Sequence, residues 1–236
     1  MIYRYPPLLP GVLVKRYKRF FADIALADGT VVTAHCPNTG PMTEISTVGS
    51  AVYISEANSP ARKLAYTWEM IQVDGSWVGV NTHLPNRVVA LGLADHQFAD
   101  LPSYTRFQPE VPYGSEQSRI DFLLHSERPL YLEVKSTTWT QPTPEGRRAI
   151  FPDTVTTRGQ KHLRELTALA EQGLGAAILY FINRGDCVSF SPGDGPDPEY
   201  GRLLRRAVAA GVLVLPYRFM VSPLGLTLGE RVPVVL

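Results

Sequence analysis

Cysteine is almost absent from this chain. Cys36 and Cys187 are the only two, they lie far apart in sequence, and no Cys-x-x-Cys pair exists. A disulfide-stapled scaffold is therefore excluded, no bridge between the two is suggested, and a reduced, cytoplasmic setting is the expectation. The five histidines are scattered without the spacing of zinc ligands. No Walker A loop, G-x-G-x-x-G or G-x-S-x-G occurs, which removes the nucleotide-binding and hydrolase motifs that those glycines build. Long apolar runs are also missing. The longest, Ala176 to Ile182, is far too short to cross a bilayer, and the opening residues lack the apolar core of a secretory leader. No membrane partner is expected. Excess charge of one sign is missing as well, since the formal net charge is +1. Residues 1–81 hold seven Lys/Arg against six Asp/Glu and the remainder holds sixteen of each, so any nucleic-acid footprint has to be a local patch rather than a basic domain.

What the chain has is 20 proline and 19 glycine residues spread among 44% hydrophobic residues, a composition that points to many short strands and tight turns. The first third reads as strands: a mixed apolar and basic segment Val12–Leu26 ending at Asp28-Gly29, then Val31–Ala34, Ala51–Ser55, and Ala65–Val73 with Trp77–Val80 around an Asp74-Gly75-Ser76 hairpin turn. Five short strands in this length fit a small closed barrel such as the OB-fold. After Pro85 strands alternate with helices. Asn86–Ala94 is a short helix, Ser118–Leu124 and Leu130–Ser136 are strands, and Thr157–Gln172 is an amphipathic helix with Leu163, Leu166 and Leu169 on one face. Ala176–Ile182 reads as a strand covered on both faces. Asp197-Pro198 opens a helix through Ala210, and Val212–Phe219 is another strand. The expected architecture is an OB-like barrel over residues 1–82 and an α/β (α+β) domain with a mixed central sheet over residues 83–236.

The stretch Ser118 to Ser136, SRIDFLLHSERPLYLEVKS, carries the chemistry. Folded as a hairpin centred on Glu127, it sets Asp121 opposite Glu133 and Arg119 opposite Lys135. By alternation these four share one face, while Ile120, Phe122, Leu132 and Val134 share the other. Two carboxylates held roughly 4.5–5.5 Å apart at Cβ repel unless one is protonated or a cation lies between them. A divalent ion with oxygen ligands and retained waters, Mg²⁺ above all, resolves that conflict, and a lysine two positions on can assist a metal-bound water. The same letters also describe cross-strand ion pairs on an exposed sheet face.

Two further segments offer anion contacts. Lys15 to Phe21, KRYKRFF, alternates Lys15, Arg16, Lys18 and Arg19 with Tyr17 and the phenylalanines. It reads either as a base-stacking and phosphate-tracking surface, which Arg62 and Lys63 would extend, or as a strand with Tyr17 or Phe20 in the core and a solvated basic face. Arg158 to Leu166, RGQKHLREL, sets Arg158 and Lys161 near a helix start, which suits a phosphate, while His162 is as readily a packed side chain. The Gly/Pro/Asn-rich turn His35 to Met42 is read chiefly as a loop fixing the barrel.

Six stretches resemble the sugar fermentation stimulation protein family: HCPNTGPM (His35 to Met42), NSPARKLAY (Asn58 to Tyr66), VNTHLPN (Val80 to Asn86), SRIDF (Ser118 to Phe122), EVKS (Glu133 to Ser136) and FPDTVTTRGQKHLREL (Phe151 to Leu166). The resemblance implies an N-terminal OB-like domain joined to a domain similar to PD-(D/E)XK nucleases, DNA as partner, and a regulatory role in sugar (maltose) metabolism. An active Mg²⁺- or Mn²⁺-dependent DNA nuclease is the alternative. It further implies Asp121 as acidic metal ligand, Glu133 and Lys135 as the (D/E)XK pair, and the Val134 carbonyl as a further ligand. Glu110 corresponds to a fourth acid and Lys161 to the basic residue of the helix. Nucleases of this kind often dimerise, so a homodimer is left open. Two departures stand out: a longer connection at Glu116 and Gln117, and no acid in Val88 to Leu93, where such nucleases often carry one.

Overall fold

A computed structural model describes residues 1–57, 62–114 and 118–236. The start of the Asn58–Tyr66 stretch and the connection at Glu116 and Gln117 lie outside the described residues. The chain opens with the short strand β1 (Tyr3–Arg4), followed by β2 (Leu8–Tyr17), β3 (Phe21–Leu26), β4 (Val31–His35), β5 (Ala51–Glu56), β6 (Tyr66–Val73) and β7 (Ser76–Gly79). The order β4-β3-β2-β5-β6-β7 closes through an added β4–β6 pairing, so β2 to β6 form a five-stranded OB-like barrel with β7 appended. Its inside is a separate core of Leu13, Ile24, Ile54, Trp68 and Ile71. The segment Val12–Leu26 is two strands, not one, because Lys18 and Arg19 adopt positive φ and reverse the chain.

The second part contains α1 (Leu84–Ala94), β8 (Arg106–Tyr113), β9 (Ser118–His125), β10 (Leu130–Thr137), β11 (Thr140–Thr143), β12 (Gly146–Phe151), α2 (Thr157–Glu171), β13 (Gly175–Ile182), β14 (Cys187–Pro192), α3 (Pro198–Ala209), β15 (Leu213–Ser222) and β16 (Gly225–Arg231). A seven-stranded mixed sheet runs β1-β16-β15-β13-β10-β9-β8, with β10, β13 and β15 parallel and the outer strands antiparallel. The class is α+β. Tyr3–Arg4 pairs with Gly225 and Leu226 of this sheet rather than with the barrel.

Both faces of the sheet are covered, and β13 shows how. Ala177, Leu179 and Phe181 join the core under α1, with Val88, Val89 and Leu93. Ala176, Ile178, Tyr180 and Ile182 join the core under α2 and α3, with Leu163, Leu166 and Leu204. This two-sided burial is why the strand is an unbroken apolar run. Each such buried Leu or Ile contributes about 1.5–3 kcal/mol. Asp197 caps α3 through Tyr200 N (3.0 Å) and accepts from Thr156 N (2.9 Å), so one buried carboxylate fixes the starts of α2 and α3 together. Among the described residues no helix is long and apolar enough to cross a membrane.

Candidate acidic metal cleft

The candidate site lies where β9 and β10 part. Their ladder runs from Leu124–Leu130 through Phe122–Leu132, the register expected from a turn centred on Glu127. One step further Asp121 and Glu133 face each other, but Asp121 Oδ2 accepts from Val134 N at 2.7 Å, so a side chain takes up the strand's backbone donor. Alternation also breaks here. Phe122, Leu132 and Val134 lie in the α1-side core as expected, whereas Ile120 packs in the α2–α3 core. The expected common packing of Ile120 and Phe122 is thereby corrected: the two enter different cores.

Two helices begin beside this point. α1 carries Asn86 in its first turn, and Asn86 Nδ2 donates to Asp121 Oδ1 at 2.7 Å. Thr156 caps α2 by accepting from Gly159 N at 3.1 Å, and Thr156, Arg158 and Gly159 line the cleft. The cleft has a volume of about 260 Å³ and is completed by Asp121, Glu133 and Lys135. Its amide-rich helix start suits an anion.

Glu133 is 2% exposed. Its Oε1 accepts from Lys135 Nζ at 2.5 Å and contacts His162 Nδ1. Its Oε2 is buried with no hydrogen-bond partner among the described residues. Burial pushes this carboxyl up, but Lys135 and His162 overcome that and hold it below its ordinary value. Asp121 goes the other way. Burial and then the charge of Glu133 push it up to about 6, against the bonds from Val134 N and Asn86. The pair thus holds one firmly ionised acid and one acid poised near neutrality.

These residues fit a divalent cation. The orphaned Glu133 oxygen and the strained sharing of charge with Asp121 are what an ion between them would relieve. No group of three or more His, Cys, Asp or Glu side chains positioned for a metal occurs among the described residues. An ion here would rest on two carboxylates, with the Val134 carbonyl and waters completing its shell.

Of the residues singled out in the sequence, Asp121, Glu133, Val134, Lys135 and Arg158 line one cleft. Glu110 is register-opposite Asp121 on edge strand β8 but is exposed, at positive φ, and does not line the cleft. Lys161 is half-buried on α2 and Arg119 is exposed on β9, and neither lines it. In the barrel, Lys15, Lys18 and Arg19 are exposed, and Tyr17 is half-buried, stacked on Phe21 with Lys15 over its ring. Phe20 is 49% exposed, so it is no core residue. Arg16 is committed to the His35–Met42 loop, donating to Asn38 O (3.0 Å) and Gly40 O (2.9 Å). Arg62 and Lys63 are exposed, with Arg62 bonded to Thr67.

His162 and Asn86 are among the residues of the site that were not assigned from sequence. His162 is buried between Glu133 and Lys135, with Arg158 Nε 3.5 Å from its Nε2. Its place four residues after Arg158, on the buried side of α2, was the available signal. Asn86 had only its position in VNTHLPN. A larger cavity of about 850 Å³ lies at the other end of the parallel strands. There Asp100 is held by Tyr217 and Arg231, and Arg128 by the Leu174 carbonyl, which leaves no converging reactive set comparable to the cleft.

A five-stranded OB barrel clamped to a two-faced α+β sheet, with an acid pair and a lysine where two strands part, defines a class of chain. Residues 14–80 match the family description "SfsA N-terminal OB domain" and residues 83–225 match "Sugar fermentation stimulation protein RE domain". The chain belongs to the sugar fermentation stimulation protein family. It is similar to proteins called sugar fermentation stimulation protein homolog from Gloeobacter violaceus (63% identical, covering 94% of this chain and 93% of the relative). The homolog from Cyanothece sp. is also 63% identical, over 95% and 94%, and that from Nostoc sp. is 60% identical, over the same shares. Its fold matches a solved structure described as Pyrococcus furiosus SfsA in complex with Ca²⁺, with TM-score 0.87, 24% identity, and 99% and 98% of the two chains covered.

Proposed function

We propose that this chain binds DNA and hydrolyses phosphodiester bonds at the cleft with a divalent cation held by Asp121 and Glu133. The observation that carries this is the buried, unpartnered Glu133 oxygen beside Asp121 in an open cleft that also holds Lys135 and the start of α2. The Ca²⁺ of the Pyrococcus furiosus structure supports a divalent ion in the family, and oxygen ligands with room for water favour Mg²⁺ or Mn²⁺. When bound, the ion supplies a water of lowered pKa and charge for a phosphate oxygen. The chain's own residues do the rest. Lys135 gives its ammonium to developing negative charge, and the N-terminal amides of α2 with Arg158 hold the phosphate. Asn86 and the Val134 amide fix the rotamer of Asp121. The exposed Lys15, Lys18, Arg19, Arg62, Lys63 and Arg119 supply the sequence-independent grip on the backbone. A reducing cytoplasm suits two cysteines that are buried and free.

A second reading has one observation in its favour. α1 presents Asn86, not an acid, to Asp121, so the cleft would bind DNA and cation without cutting, in keeping with a regulator of sugar metabolism. Incubating wild type and Glu133→Gln with single-stranded, duplex and branched DNA in Mg²⁺ or Mn²⁺ separates the two. Metal-dependent cleavage lost in the variant supports hydrolysis. Binding without cleavage by either protein leaves only the second reading, and no binding at all removes both.

A further inference from the structure

Next to the cleft lies a smaller pocket of about 80 Å³, roofed by the barrel and floored by the end of β10. It shares Thr82, Ser136 and Phe151 with the cleft, so the two adjoin. The barrel side is built to stay in place. Thr82 Oγ1 donates to Pro37 O at 2.9 Å, Arg16 holds the carbonyls of Asn38 and Gly40, and Gly40 N donates to Asn38 Oδ1 at 2.9 Å. Asn38 therefore faces the pocket from a loop braced on both sides. On the floor, Thr137 is 1% exposed and its hydroxyl has no hydrogen-bond partner among the described residues. Trp139, Phe151 and Asp153 complete the lining.

The chemistry selects the occupant. Asp153 repels a phosphate, and burial pushes its carboxyl up. A metal ion would find one carboxylate in the lining and, among the described residues, no cluster of ligands. Two aromatic side chains beside an amide, a hydroxyl and a carboxyl suit a flat group with donors and acceptors at its edge. At about 80 Å³ the pocket is smaller than the ~150 Å³ cavity that encloses benzene, so it admits the polar edge of a single-ring base with the rest of the ring at its mouth. Thr137 lies four residues beyond Glu133 on β10, about 13 Å at ~3.3 Å per residue, a reach of neighbouring nucleotides.

We propose that this pocket takes, by its edge, one unpaired, single-ring base of a DNA strand whose backbone lies in the cleft. The Thr137 hydroxyl, Asn38 and Asp153 bond its edge, and Trp139 or Phe151 meets its face. The assignment rests on the nucleic-acid reading of the cleft and makes single strands, or duplexes that open locally, the preferred form.

The test uses the full chain in Ca²⁺, with oligothymidylate and an abasic strand of equal length as probes, and wild type, Thr137→Val and Asp153→Asn as proteins. Wild type is expected to bind oligothymidylate about ten-fold more tightly than the abasic strand. That ratio is expected to shrink in both variants while binding of the abasic strand persists. Comparing the ratio removes the general electrostatic gain of Asp153→Asn. Thr137→Val keeps the shape and deletes an unpaired hydroxyl, so its melting temperature should match or exceed wild type, and a folded variant can be judged on binding. An unchanged ratio in the variants, or equal binding of both strands by wild type, overturns the base pocket while leaving DNA binding intact. Failure of wild type to bind either strand overturns the cleft reading and the pocket with it.

Discussion

Asp121 Oδ2 accepts a hydrogen bond from Val134 N at 2.7 Å at the position where the β9–β10 ladder stops. One side chain therefore replaces a backbone acceptor and opens the sheet where its own carboxylate and that of Glu133 meet. The carboxyl of Asp121 is pushed up to about 6, first by burial and then by Glu133. An acid with a raised folded-state pKa favours folding at low pH, and that contribution is lost as pH rises through about 6. The stability difference between wild type and Asp121→Asn, in chelator, should therefore move in the variant's favour by up to ~3 kcal/mol between about pH 4 and pH 7. Chemical denaturation at both pH values measures it, and a difference independent of pH would show that Asp121 titrates normally.

A divalent cation should act in the opposite sense. It needs both carboxylates ionised, so its stabilisation grows as Asp121 loses its proton. Near neutral pH, Mn²⁺ or Ca²⁺ at about a hundred times Kd should add ~2.7 kcal/mol, which is roughly 5–10 °C in Tm. The increment should shrink towards about pH 5 and vanish in Glu133→Gln. An equal increment in that variant would move the ion elsewhere.

The basic run of the barrel divides in function. Arg16 holds two loop carbonyls, so Arg16→Ala should cost about 1–3 kcal/mol of stability. Lys18 and Arg19 are exposed at a turn. Replacing both with alanine should leave Tm unchanged but lower DNA affinity and flatten its salt dependence by about one to two units of slope. Unaltered DNA binding by the double variant would remove this turn from the footprint.

The two domains are joined by ions as well as by packing. Arg184 is 1% exposed and is gripped by Asp186 through two bonds of 2.6 Å, while Arg147 bridges Asp186 and the barrel's Asp74. Removing Asp186 strands a buried guanidinium, so Asp186→Ala should cost about 3–5 kcal/mol. Asp74→Asn, which keeps a residue tolerant of the positive φ at this turn, breaks only an exposed contact and should cost under ~1 kcal/mol. Urea titrations of the two variants give the comparison directly, and similar losses would mean that burial of Arg184 is not what sets the energy.

Much of this was legible in the chain, for identifiable reasons. β13 announced itself because burial on both faces leaves no polar residue, and α2 because Leu163, Leu166 and Leu169 recur at helical spacing. The β9–β10 register followed from alternation about Glu127. β8 was hidden because Pro109 and Pro112 argue against a strand, yet an edge strand tolerates them on its unpaired side. β11, β12, β14 and β16 were hidden because each gives at most two fully buried apolar residues to a core, such as Ala149, Phe190 and Leu226, too few to show a period. Ile120 went to the wrong core because a period of two presumes that one face of a strand meets one core, whereas Ile120 and Phe122 of the continuous strand β9 pack into different cores. His162 was unreadable as a site residue, since its partners Glu133 and Lys135 come from a strand more than twenty residues earlier, and only folding brings them together.

The most direct measurement is the structure of crystals of this protein soaked in Mn²⁺, with anomalous scattering locating the ion. A single strong peak within bonding distance of oxygens of both Asp121 and Glu133, absent in Glu133→Gln, is the expected result. A peak away from the pair, or none at saturating Mn²⁺ with the cleft unobstructed, would contradict the metal cleft and the chemistry built on it.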